Sequence, residues 1–425
     1  MVRGECCILC VMEKHTRAEP PTPSTSRKHI CLPFESEEHY DKCVADHRQF
    51  REYLNGQIAA RPELFPEAVN VGYTFHDKYQ SRKLKLTLRR IKLKQNREVF
   101  TIRPSFVLPY CVARTDKIEK ALYLRLWGVP FTALAYVFGR NEMFWYRAWI
   151  ALGRANLVGA TVKSEAAMPG HLIVDEKITW VDGQEVSVPT TASGGCFLGI
   201  TVSERDNTEG LQAAYGEFAQ EAKAVFPTYR PNSVCTDGWA ATREAWRLLF
   251  PQITLVLCYL HSVIKIAARC TGQFRQEVLT RVWHVYHAET KSEFSQRLRR
   301  LEQWSAKRLS GGVAEMVKKL CRRRVEFTPA YDCPQAARTS NGVDRLLNHL
   351  DRLLYAARYG HSTPESSRSA VRAMALQWNF HPYGKRLRDQ EPERISPFHD
   401  LNGFVYHPNW LHNLLIASSM GGLRL

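Results

Sequence analysis

The chain has 425 residues, 44% of them hydrophobic and 11% aromatic, enough to bury a core and divide into two or three domains, which excludes an intrinsically disordered protein. Its 59 lysines and arginines against 42 acidic residues leave a formal net charge of +17, which attracts polyanions and makes nucleic acid the first partner to consider. The twelve cysteines lack the spacing of a secreted disulfide framework. With no signal-peptide pattern and no run of roughly 18 apolar residues, the expected setting is a reducing cytoplasm and no membrane.

In chain order, Cys6, Cys7 and Cys10 with His15 have the spacing of half a zinc site, but no second pair follows, so an incidental cluster is the preferred reading. Pro20, Pro21 and Pro23 lie among Ser and Thr, the composition of a loose linker, and 1–33 is expected to be flexible. From 83 to 94 the sequence alternates Lys-Leu-Lys-Leu-Thr-Leu, then Arg89-Arg90, then Ile-Lys-Leu-Lys. Period two predicts a strand with one apolar and one basic face, with 99–107 as its partner. The region 34–114 is thus expected to carry a basic β-hairpin, whose charged face either grips phosphates or is simply solvated.

Three short helical patterns occupy 115–155, separated by turns at Gly128-Val129-Pro130 and Gly139-Arg140-Asn141. Leu134, Val137 and Phe138 share one face of the middle helix, and Phe144, Ala148 and Ile150 pack from the third. This outlines a helix-turn-helix whose third helix would offer Asn141, Glu142, Tyr146 and Arg147 to a DNA major groove; an ordinary three-helix bundle has the same pattern.

Three apolar or β-branched runs follow at 171–180, 185–192 and 196–203, divided by Val181-Asp182-Gly183-Gln184 and Ser193-Gly194-Gly195, which suit hairpin turns. A helix at 208–226, a strand at 232–236, a helix at 239–250 and a strand at 253–258 complete the order β-β-β-α-β-α-β-α. The fold class is therefore α/β, with a ribonuclease-H-like catalytic domain over 165–383, preceded by the small β region and the helix-turn-helix. A basic helical insertion interrupts it at about 271–326, a last helix returns at 341–355, and 384–425 reads as a C-terminal tail, charged and exposed over 384–393.

In that layout Asp175 closes the first strand, Asp237 follows the fourth, and Asp344 lies in the first turn of the last helix. Carboxylates converging there repel one another unless cations neutralise them, and hard oxygen ligands favour Mg2+ or Mn2+, with room for two ions supporting in-line displacement at phosphorus. Glu176 is a rival to Asp175, but alternation sends only one of the two to the metal side. Lys177 returns to that side and would meet a phosphate or simply be solvated. Glu326 and Glu365 are less well placed alternatives to Asp344. Cys258 and His261 have a zinc-ligand spacing without a second pair. Trp239 is expected to pack on the sheet, and Trp283 and Trp304 either pack in the insertion or stack on unpaired bases.

The stretch Val-Cys-Thr-Asp237-Gly-Trp-Ala-Ala-Thr, followed by Leu-Cys258-Tyr-Leu-His261, resembles the second-aspartate block of Mutator-like and related bacterial insertion-sequence transposases of the DDE class. Arg338-Thr-Ser-Asn341-Gly-Val-Asp344-Arg-Leu-Leu-Asn348 is similar to their final catalytic helix, in which an Asn precedes the last carboxylate by three residues. The resemblance spans about 115–382; it departs where the family usually has Glu and this chain has Asp344. It implies a metal-dependent transposase that cleaves and joins double-stranded DNA at transposon ends and target DNA, assembled as a dimer or higher oligomer, in the bacterial cytoplasm at the nucleoid. It favours Asp175 over Glu176, places His261 near the scissile region with Cys258 packed in the strand, and gives Asn341 a supporting role. A catalytically inactive DNA-binding regulator of the same descent, or a nuclease of the same fold, shares these features.

Overall fold

A computed structural model describes residues 28–108, 113–272, 274–356 and 363–423; Cys6, Cys7, Cys10 and His15, with the zinc reading placed on them, lie outside these. The architecture is α/β, with one mixed sheet in the N-terminal region and a second in the region that follows.

The first sheet takes β1 (His29–Leu32), β2 (Tyr73–Ser81), β3 (Leu86–Leu93) and β4 (Val99–Pro104) in the order β1-β4-β3-β2, with α1 (Glu37–Ala45) and α2 (His47–Ala60) inserted after β1. β1 falls in the stretch expected to be loose. It pairs in parallel with β4, buries Ile30, Cys31 and Leu32, and its Cys31 amide donates to Ser419 Oγ at 3.1 Å. The antiparallel β3–β4 pairing matches the expected hairpin, but β3 has no free basic face. The Arg89 side chain is buried against the Phe50 and Phe75 rings and donates to the Val44 carbonyl, and Arg90 is held by Asp77. The alternation marked a strand correctly; what covers each face was set by α2 and β2.

Three helices follow as the turns predict: α3 (Thr115–Leu126), α4 (Phe131–Phe138) and α5 (Glu142–Ile150). Gly139 and Arg140 turn the chain with φ of 72° and 65°, and Asn141 caps α5 by accepting from the Phe144 amide at 2.8 Å. Leu134 is buried as expected, but Val137 is 66% exposed, because nothing covers that side of the short α4. In α5 the buried residues are Trp145, Ala148 and Trp149. The Trp149 indole donates to Gln377 at 2.7 Å and so faces a helix distant in sequence.

After α6 (Leu157–Thr161) come β5 (His171–Val181), β6 (Gln184–Ser193), β7 (Cys196–Ile200), α7 (Thr208–Val225), β8 (Ser233–Thr236), α8 (Ala240–Leu249) and β9 (Thr254–Leu257). The second sheet runs β7-β6-β5-β8-β9; β5, β6 and β7 are antiparallel neighbours, and β8 and β9 extend the sheet in parallel with β5. Both hairpins turn on consecutive residues with positive φ, Asp182-Gly183 and Gly194-Gly195, the geometry whose twist matches the strands. α7 and α8 pack against the sheet through Tyr215, Phe218 and Trp246.

Next stand α9 (Tyr259–Ala267), α10 (Phe274–Tyr286), α11 (Lys291–Arg308), α12 (Gly311–Arg322), α13 (Arg324–Phe327) and α14 (Pro329–Asp332). Val278, Val282, Phe294, Leu298, Val317 and Leu320 give this unit an apolar core of its own, continuous with Leu257 and Tyr259. α15 (Asn341–Ala356) then packs on β5 and β6. It is followed by α16 (Pro364–Phe380), α17 (Lys385–Gln390), α18 (Pro397–Asn402) and α19 (Trp410–Ala417). α17 is largely exposed, as its charge predicts, but the rest of the stretch read as a tail is not one. Every residue of α19 is buried, and the helix lies against β1, α3, α6 and α16. A helix apolar nearly all round, as Leu411, Leu414, Leu415 and Ile416 make this one, belongs inside a core. Among the described residues no helix is long and apolar enough to cross a membrane.

Candidate functional site

The carboxylates meet through strand register. β5 and β8 pair in parallel with Ile173 opposite Cys235, and carrying that register two residues on sets Asp175 beside Asp237. β8 and β9 pair with Thr236 opposite Leu257, and the Cys258 amide donates to the Thr236 carbonyl at 2.8 Å, which sets Cys258 beside Asp237. Asp175, Asp237 and Cys258 thus form one row; Asp237 and Cys258 directly follow β8 and β9, but Asp175 does not close its strand as expected, because β5 continues to Val181 in its pairing with β6. Asp344, in the first turn of α15, joins from the side through a hydrogen bond between its carboxyl group and that of Asp175.

The turn after β8 is tight. Asp237 accepts from the Trp239 amide at 2.7 Å, and Gly238 between them has φ +90°. A Cβ on Gly238 would lie 2.4 Å from Leu257 Cδ1 and 2.5 Å from Arg323 Nη2, so only glycine fits. Arg323 stands just past α12, so the insertion packs directly on the Asp237 turn. Glu326, the alternative acid, holds Arg323 at 2.8 Å and Arg243 at 2.6 Å and is committed to that docking. Glu365, the other alternative, is exposed in the first turn of α16.

Burial, then the adjacent Glu176, pushes the Asp175 carboxyl up to about 7. Glu176 itself is raised to about 7 by burial, although Thr242 Oγ1 and Tyr215 OH donate to it at 2.6 and 2.7 Å. Those partners come from α8 and α7, so Glu176 serves the packing of these helices on β5. Burial also raises Asp344. The hydrogen bond that His261 donates to Cys258 raises His261 to about 9, and hydrogen bonds from Cys235, His261 and Ser340 hold the Cys258 thiol far below its ordinary value despite burial. Both directions favour the ion pair of a Cys258 thiolate and a His261 imidazolium, whose charges offset each other, beside the carboxylates.

Ser340, absent from the candidate residues read from sequence, is fully buried at the centre of this group. Its amide donates to Cys258 Sγ at 3.1 Å, and its hydroxyl lies 3.4 Å from His261 Nδ1 and 3.4 Å from Asp344 Oδ1. Asn341 is exposed beside it at the start of α15. A serine just before a helix signals a cap, and that was the one local clue to Ser340. Arg338 is a second missed residue. Its guanidinium lies between the Tyr286 and Tyr331 rings, 4.6 Å from each centroid, and donates to the Tyr286 carbonyl at 2.6 Å. Its own carbonyl accepts from the Tyr259 amide, so it fastens the segment leading to Ser340 to both α9 and the insertion.

The remaining candidates lie elsewhere. Lys177 forms a 3.2 Å ion pair with Asp351 of α15 and fastens that helix to β5. Trp239 packs against the α7–α8 core. Trp283 packs on Tyr259 and Tyr286, and Trp304 stacks on Phe274 beneath the Arg281 guanidinium, so both serve the insertion's own packing. On α5, Asn141 is the cap, Tyr146 sits edge-on to Phe131 and is half-buried, and Arg147 is exposed.

Three carboxylates form a hard-oxygen donor set of the kind that suits Mg2+ or Mn2+, and burial, the first cause of the raised Asp175 and Asp344, penalises their charged forms, a cost that a bound cation offsets. Among the described residues, no group of three or more His, Cys, Asp or Glu stands close enough to hold a metal ion. Asp175 and Asp344 are in contact, and Asp237 acts on Asp175 through space. No protein-family model matches the chain, and no curated protein matches it.

Proposed function

We propose that the protein is a DNA transposase of the DDE class, carrying out metal-dependent cleavage and strand transfer at transposon ends. The observation that carries this reading is the register that brings Asp175, midway along β5, beside Asp237 at the end of the parallel strand β8, with Asp344 hydrogen-bonded alongside. The strand order β7-β6-β5-β8-β9 supports a ribonuclease-H-like catalytic domain, and α3 to α5 support a helix-turn-helix with Arg147 toward DNA. The net charge of +17 suits double-stranded DNA, both transposon end and target. Handling two ends calls for a dimer or higher oligomer, and the setting in this reading is the bacterial nucleoid.

Asp175, Asp237 and Asp344 would hold Mg2+ or Mn2+, in all a pair of ions. Ions held there would supply activation of a water or a 3′-hydroxyl and charge stabilisation of the leaving oxygen. The chain's own part is to set the carboxylates by strand register, hold the Asp237 turn through Gly238, and keep a protonated His261 as a donor toward the DNA backbone. Glu176, engaged by Tyr215 and Thr242, stays out of the ligand set.

Incubating purified protein with labelled DNA spanning the ends of its own element, in Mg2+ or Mn2+, tests this. Wild type should cleave and join, and Asp237→Ala should do neither while binding DNA. Binding without cleavage at any end would overturn the enzymatic reading. It would leave the inactive DNA-binding regulator. Cleavage without joining would select the nuclease.

A further inference from the structure

Ser340 sits where three separate parts of the site meet. Cys258 ends β9, His261 lies in the first turn of α9, and Asp344 lies in the first turn of α15. Ser340 touches all three: Sγ of Cys258 from its amide at 3.1 Å and from its hydroxyl at 3.3 Å, His261 Nδ1 at 3.4 Å, and the two Asp344 carboxylate oxygens at 3.4 and 3.5 Å. The amide of Asp344 also donates to the Ser340 carbonyl at 3.1 Å, so its side chain and the serine hydroxyl share one helical turn.

A hydroxyl has one proton and two lone pairs. Asp344, as a carboxylate, can only accept, so the Ser340 proton serves it; the hydroxyl oxygen then accepts from an Nδ1–H of His261. That assignment fixes the ring through its Nδ1 side, with the Cys258 sulfur as a further hydrogen-bond partner of the imidazole.

We propose that Ser340 is a positioning residue for the reaction: through one hydroxyl it orients the His261 ring by Nδ1 and the Asp344 carboxylate, while its amide holds the Cys258 sulfur. The proposal rests on the transposase reading above. It adds a residue of this chain that neither touches DNA nor binds metal, and on which the placement of two site groups depends. It also accounts for a feature of the sequence: Ser340 lies directly before Asn341, and it is the buried serine, with the asparagine exposed, that reaches the site.

The test compares Ser340→Ala and Ser340→Thr with wild type. Ser340→Ala should lower kcat for end cleavage about 10- to 100-fold, as a displaced reacting group does, and raise the Mg2+ concentration needed for half-maximal rate, with DNA affinity and melting temperature little changed. Ser340→Thr, which keeps the hydroxyl, should recover most of the rate. Ser340→Ala turning over within twofold of wild type, or Ser340→Thr failing as badly as Ser340→Ala, would overturn the proposal. A readout without turnover separates it from the transposase reading. In histidine-labelled protein, the ring nitrogens of His261, assigned by loss of their signals in His261→Gln, should show a bonded Nδ1–H in wild type and Ser340→Thr and lose it in Ser340→Ala. If wild type cleaves no DNA yet this pattern appears, the transposase reading falls and the positioning of His261 by Ser340 stands. An unchanged His261 signal in Ser340→Ala removes the positioning role.

Discussion

Asp237 accepts a 2.7 Å hydrogen bond from the amide of Trp239, and this bond closes a turn that Gly238 alone can complete. With φ at +90° and a Cβ that would meet Leu257 Cδ1 at 2.4 Å, the turn couples backbone conformation to carboxylate position. Gly238→Ala is expected to destabilise the protein by about 1–3 kcal/mol through strain at a left-handed position. It should also displace Asp237, so cleavage falls further than stability explains. A variant that melts and cleaves like wild type would contradict this account of the turn.

Asp175 and Glu176 give a pH dependence with a definite sign. Both carboxyls are raised to about 7 in the folded protein, from ordinary values of 3.8 and 4.5. A raised folded value contributes stability that is complete below the unfolded pKa and lost as pH rises through the folded one. Metal-free protein should therefore lose melting temperature between about pH 4 and pH 7. Asp175→Asn should flatten that slope, and Mg2+ should restore stability to wild type at pH 8 but not to the variant. Parallel melting curves for the two proteins across this range would remove Asp175 as a source of the dependence.

Asp344 tests the departure from the resembling family. Asp344→Asn keeps the shape of the side chain and removes its charge. The expected result is a loss of metal-dependent cleavage of about 100- to 1000-fold, equivalent to about 3–4 kcal/mol of barrier, with DNA binding within about twofold of wild type. Retained cleavage would return the third acid to the search, although Glu326 is already held by Arg243 and Arg323.

On α5, the exposed Arg147 and the half-buried Tyr146 should separate cleanly. Arg147→Ala is expected to weaken DNA binding and reduce the slope of log affinity against log salt by about 1, the signature of one lost phosphate contact. Tyr146→Phe should leave affinity unchanged, because the ring already packs on Phe131. Equal effects, measured by salt-titrated binding, would mean that α5 presents a different face to DNA.

Lys177 and Asp351 make a half-exposed ion pair, so the coupling in a double-mutant cycle should be only about 0.2–1 kcal/mol. Lys177→Ala should not alter the salt dependence of DNA binding. A reduced slope would restore Lys177 as a phosphate contact.

The second sheet was legible from the chain alone because its signals are local. Alternation over 171–200, the Asp-Gly and Gly-Gly turns, and the helix patterns between β7 and β9 depend only on neighbouring residues, and the strands and helices occur at those places. Asp237 and Asp344 were legible for the same reason, since each stands at the end of a locally recognisable element, whereas Asp175 lies midway along a strand that β6 extends to Val181. Tertiary structure alone decided what depends on partners distant in sequence. Arg89 looked like part of a basic face until Phe50 and Phe75 enclosed it. β1 looked like part of a loose leader until β4 gave it a ladder and Ser419 a side-chain bond. α19 looked like a tail until β1 and α16 covered it. Ser340 has no motif of its own. Its place at the site exists only because β9, α9 and α15, separated by the insertion, converge on one buried hydroxyl. Local propensity and period thus determined which elements form and which acids end them. Long-range packing, which satisfies buried polar groups with whatever partner the fold brings near, decided which side chains share the site.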